Sequence, residues 1–218
     1  MGCGETILRG ECGRKGASVA FALDGNGVLS ISGAGAMRDM RDPADTPWWG
    51  LRKTIVRVEV QGGVTAISAG AFFGCTALES AAIPDSVTSV GWAAFRACEA
   101  LQSVVIPKGV RFVGFWAFAG CTGLKSATIS HGVKGVGDFA FADCAGLSRI
   151  AIPDGAFAVG ECAFLGCAGL ESVEIPDSMS SIGKLAFRGC GKLESVVVPA
   201  ETAIADNAFP AHVHIIRK

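Results

Sequence analysis

A chain of 218 residues with a formal net charge of −1 and 18 % charged side chains is long enough for one domain of ordinary core size. It carries no basic stripe of the kind that nucleic acid demands. Half of the residues are hydrophobic, yet no run reaches the roughly 18 apolar residues of a membrane-spanning helix, so the apolar side chains belong to a folded interior. Abundant glycine (30) and absent tyrosine point to many tight turns between short strands.

The first six residues, Met1-Gly2-Cys3-Gly4-Glu5-Thr6, fit the acylation pattern M-G-x-x-x-[ST]. In a eukaryotic source, myristate on Gly2 with palmitate on Cys3 would anchor the chain by two lipid signals. In a bacterial source the pattern has no meaning. No secretory signal is readable in this stretch, so surface and cytoplasmic locations both stay open. Residues 1–53 read as a β-hairpin cap. Val19–Leu23 and Val28–Gly33 are strands, and Asp24-Gly25-Asn26-Gly27 supplies the positive φ of a tight turn. The adjacent Trp48 and Trp49 are expected to pack the seam between cap and first coil.

Residues 54–218 read as a solenoid. Cys75, Cys98, Cys121, Cys144, Cys167 and Cys190 recur every 23 residues. Phe72 to Phe187, Leu78 to Leu193 and Ile83 to Val198 keep the same step, and a Pro follows five of the six Ile/Val positions. Six full repeats run from 64 to 201, and a shortened one fills 202–218. Thr54–Val60 is expected as a first strand in register. Within a repeat, Val173 and Ile175 face one side of a strand, while Ser172 and Glu174 face the other. Pro176 ends the pairing. The Val-Gly pair that follows marks a bend, Ala-Phe plugs the interior and Gly-Cys turns the chain back. Such a unit cannot fold alone: about five buried side chains at roughly 1.5–3 kcal/mol each do not offset its backbone ordering. Stacking solves this, because each coil covers the next. The strands should form one parallel sheet about 4.8 Å apart, in a rod of about 35 Å.

Little chemistry stands outside the repeat. The stacked cysteines read as small hydrophobes bonded to turn backbone, although their spacing also permits disulfides. No Cys-x-x-Cys pair suggests zinc, and a Cys3–Cys12 bridge has only proximity behind it. His212 and His214 alternate on a closing strand that reads as an exposed edge. No nucleophile–base grouping or phosphate loop is present, so the chain reads as no enzyme, with no cofactor and no metal. Two surfaces remain as partner-binding candidates. One is the outward face of the strands: Ser103, Val105, Ser126, Thr128, Arg149, Ser172 and Glu174. The other is an aromatic group just before the Ala-Phe plug: Trp92, Phe115, Trp116 and Phe139. Charged residues hold the equivalent places in later coils, so the group is expected at the surface.

The repeat IPDSVTSVGWAAFRACEAL and the cap phrases LDGNGVLSISGAGAM and DTPWWGLRKTIVRVEVQGGVTAI resemble the BspA-like leucine-rich repeat proteins, over nearly the whole chain from about Gly10. The resemblance implies a leucine-rich-repeat solenoid, mostly β with short helical or 3-10 turns. It also implies a secreted or cell-surface protein that engages a protein partner, on a host or a cell surface, through adhesion or protein binding. It brings no catalytic residues. A structural spacer or coat element without a dedicated ligand is the alternative reading.

Overall fold

The computed structural model describes residues 5–40 and 42–218; the acylation pattern at Gly2 and Cys3, and one half of the Cys3–Cys12 pair, lie outside them. The chain winds as a parallel β-solenoid of about seven turns of ~23 residues with little helix. One nine-stranded sheet carries Thr6–Glu11, Ala20–Asp24, Val28–Ser32, Arg57–Val60, Ser80–Ala82, Ser103–Ile106, Ser126–Ile129, Arg149–Ala151 and Ser172–Glu174 side by side. The first three strands pair antiparallel, and Val28–Ser32 then pairs parallel with Arg57–Val60. From there each strand pairs with its counterpart 23 residues on, as in Ser126↔Arg149 and Thr128↔Ala151. Ser195–Val198 and His214–Arg217 form a separate parallel pair, so the ladder is interrupted once.

Three expectations change. The first strand is Arg57–Val60 and not Thr54–Val60, because Trp49–Thr54 winds as a 3-10 helix that ends when the Ile55 N–H reaches the Arg52 carbonyl. In the cap hairpin only Gly27 takes a positive φ, at +78°; the Asp24 carboxylate closes the turn by accepting from the N–H groups of Asn26 and Val28, both at 2.9 Å. The Val-Gly bend is itself paired. Two-residue strands such as Phe112–Val113, Gly135–Val136 and Ala158–Val159 stack in parallel as further narrow sheets. The glycine that follows is demanded by proximity. A Cβ on Gly91, Gly114, Gly137 or Gly183 would lie 2.5–2.6 Å from backbone of the preceding coil.

The interior is a single cluster. Phe72, Phe95, Phe118, Phe141, Phe164 and Phe187 are fully buried, and with Phe209 they stack with ring centroids 4.8–5.4 Å apart. Trp48 opens the column, 5.9 Å from Phe72, and its indole N–H donates to the Ala71 carbonyl at 2.8 Å. Trp49 does not share that burial and turns to the surface.

The eight described cysteines are free and buried. From Cys98 to Cys190, each column thiol donates to the carbonyl of the phenylalanine in the preceding coil, at 3.1–3.4 Å.

Candidate functional site

The strand face is a shelf of small side chains. Ser103, Val105, Ser126, Thr128, Arg149, Ser172 and Glu174 are all exposed, because alternate residues of each strand point away from the core. Ser126, Thr128, Arg149, Ser172 and Glu174 line one shallow depression of about 280 Å³. Ser103 and Val105 sit one coil before it, paired to Ser126 and Thr128. Arg149 and Glu174 take part in none of the ion pairs among the described residues.

The aromatic group lies on the turn side of the coils, where the backbone does something unusual. Gly70, Ala93, Trp116, Phe139, Cys162, Leu185 and Asn207 occupy one column, and every one has φ between +51° and +61°. The left-handed turn aims each N–H at the next coil: Ala93 donates to Phe115, Trp116 to Asp138 and Phe139 to Glu161, at 2.9–3.2 Å. The stack therefore demands this conformation whatever side chain is present. A residue other than glycine costs about 1–2 kcal/mol there, and bulky residues are rare.

Trp116 and Phe139 nevertheless sit in that column. Both are half-buried, and their rings stack 4.4 Å apart at 7°. Trp92 and Phe115, one position earlier, are 48 % and 54 % exposed. Sequence reasoning missed how this group continues. Arg96 lies over Trp116 at 4.4 Å and reaches Phe73 at 5.8 Å. Phe73 stacks with Trp49 at 6.4 Å, and Arg52 covers Trp49 at 3.8 Å. A continuous strip results, running Arg52, Trp49, Phe73, Arg96, Trp116, Phe139. The signal was present in the column after each core phenylalanine, where Phe73 and Arg96 precede Ala119 and Ala142. Phe112 and Phe157 form a separate exposed pair, edge to face at 6.0 Å, across the gap left by Gly135.

Among the described residues no group of three or more His, Cys, Asp or Glu is placed to hold a metal ion. No helix among them is long and apolar enough to cross a membrane. His212 and His214 are exposed, and His214 pairs with Ser195 on the closing strand.

The model of the BspA type leucine rich repeat region matches residues 52–154 and 88–215, with six copies. No curated protein matches the chain significantly. Among solved structures, the Treponema pallidum leucine-rich repeat protein is similar at 26 % identity and a TM-score of 0.62, over 79 % of this chain and 86 % of that one. A leucine rich cell surface protein from Faecalibacterium prausnitzii matches at 18 % identity and 0.37, over 95 % and 87 %. The pneumococcal vaccine antigen PcpA matches at 13 % and 0.42, over 96 % and 89 %. With the repeat model spanning most of its length and every repeat column closing into one stacked core, the chain belongs to the BspA-type leucine-rich repeat family.

Proposed function

We propose that the protein is a non-catalytic interaction module that captures a protein partner on the aromatic strip ending in Trp116 and Phe139, together with the exposed Trp92 and Phe115 one position earlier in the coils. The observation that carries this reading is the choice of side chain in the left-handed column. Gly70 holds the same backbone in the first coil without steric cost, whereas Trp116 and Phe139 hold it at a cost and place two large rings at the surface. The backbone strain is common to the column, Ala93 and Leu185 included; what is particular to these two coils is the large stacked rings placed there beside the exposed Trp92 and Phe115, and exposed aromatic clusters are where partners dock. The strand-face depression around Arg149 is a second contact surface of the same module. Adhesion at a cell surface is the setting that the BspA family resemblance implies.

The test is a double substitution, Trp92→Ser with Trp116→Ser, assayed for retention of partner proteins from the organism's own surroundings. Capture should drop at least tenfold, with the circular dichroism spectrum unchanged. Undiminished capture removes the strip and leaves the strand face as the contact surface.

A further inference from the structure

Arg96 is the only cation within the strip's inner run, and its geometry is specific. Trp116 sits between two neighbours, Phe139 from the following coil at 4.4 Å and Arg96 from the preceding coil at 4.4 Å. Both faces of that indole are therefore used, and ring edges are left toward solvent. The guanidinium lies over Trp116 at 4.4 Å and within 5.8 Å of Phe73, so aromatic contacts hold it over the strip before any partner arrives. None of the ion pairs among the described residues includes Arg96. None of their side-chain hydrogen bonds includes it either, whereas Arg52 donates to the Trp49 carbonyl at 2.8 Å. A planar fork with its N–H donors free, held on aromatic faces, is matched to a carboxylate taken in two parallel hydrogen bonds.

We infer that Arg96, with Phe73 and Trp116 on either side, is a receptor for a carboxylate side chain in an extended, apolar-flanked acidic peptide of the partner. This rests on the reading of the strip as a contact surface and adds the partner's chemistry to it. Length agrees. From Trp49 to Phe139 the strip crosses four coil spacings, about 19 Å, which about six extended residues span. A peptide is favoured over an acidic sugar because pyranose rings dock on open aromatic faces, and those of Trp116 are covered. The apolar flanks come from the exposed Trp92 and Phe115 and the half-buried Phe139. Leucines two residues to either side of the aspartate share its face of the extended peptide and would meet these rings while the carboxylate reaches the fork.

The experiment titrates the full chain with three probes: the heptapeptide Ser-Leu-Ser-Asp-Ser-Leu-Ser, which sets Leu, Asp and Leu on one face when extended, its counterpart with Asn in place of Asp, and an oligoglucuronate. The Arg96 Nε–H and Trp116 indole N–H signals are followed by NMR. The acidic heptapeptide should shift both signals and bind about fivefold more tightly than the Asn peptide. Arg96→Gln should erase that ratio, and Arg96→Lys should keep part of it, since charge survives without the fork. Equal binding of the two peptides overturns the assignment to Arg96 and leaves the strip reading intact. An acidic preference that persists in the Trp92→Ser, Trp116→Ser protein means the acid is read without the Trp116 face, and overturns the strip reading and the Arg96 receptor together. Binding of neither peptide, or tighter binding of the oligoglucuronate, overturns the inference.

Discussion

Cys98, Cys121, Cys144, Cys167 and Cys190 show what a single repeated residue contributes. Each thiol is a second donor to a phenylalanine carbonyl that already accepts the N–H three residues on, and so ties that turn to the following coil. Burial pushes Cys75 and Cys190 up to about 12 from 9.0. A proton held more tightly in the folded state stabilises it fully below about pH 9, and that contribution is lost as pH rises toward 12. Urea midpoints should therefore be flat from pH 6 to 8.5 and fall above 9. The slope approaches ~1.4 kcal/mol per pH unit for each such thiol, and Cys190→Ala should make it shallower. Ellman's reagent should label the column thiols no faster than the chain unfolds. The cysteine spacing was legible in the sequence, because period alone identifies a stacked column. Arg96 was not, because its role depends on a side chain reaching two rings in neighbouring coils, which no linear spacing records.

At the scale of one coil, the elements are too small to announce themselves. The strand with its Val-x-Ile alternation was legible; the two-residue strand before each glycine was not, since no periodicity fits in two residues. Thr6–Glu11 was missed for a related reason. It is an edge strand with almost no buried face, so it lacks the alternation that marks a half-buried strand. The coil's energetics follow from its phenylalanine. Phe118 is stacked on both sides, by Phe95 and Phe141, whereas Phe209 meets only Phe187 and is 9 % exposed. Phe118→Ala should cost about 3–5 kcal/mol, and Phe209→Ala measurably less, by chemical denaturation. Gly137→Ala should also be strongly destabilising, because a Cβ there would lie 2.6 Å from the Val113 carbonyl oxygen. The cost would appear as a lower melting temperature with the same spectrum.

For the whole molecule, stability is a sum over coils and the interfaces between them. Excising residues 120–142, one full repeat of 23, joins Ala119 to Asp143. Asp143 has the same left-handed backbone, φ +58°, as the Gly120 it replaces, φ +73°. Such a protein should fold with a reduced denaturant m-value, in proportion to the surface removed. Excising 22 residues at the same place should give a less stable protein than excising 23, because the joined coil must bulge one extra residue, a one-residue mismatch of the size that the structure itself absorbs where Phe187 and Phe209 stack across a step of 22. The division of labour between inside and outside follows from the same geometry: the Phe column builds the rod, and the left-handed column two residues before it presents, at Trp116 and Phe139, rings that the rod does not need. Comparing urea unfolding of Trp116→Gly with that of Phe118→Ala tests that claim most directly. The account predicts a loss of under about 1 kcal/mol for Trp116→Gly, since relief of the left-handed strain offsets the lost ring contact, against about 3–5 kcal/mol for Phe118→Ala. A loss at Trp116 as large as that at Phe118 would make the surface ring part of the core and contradict the account.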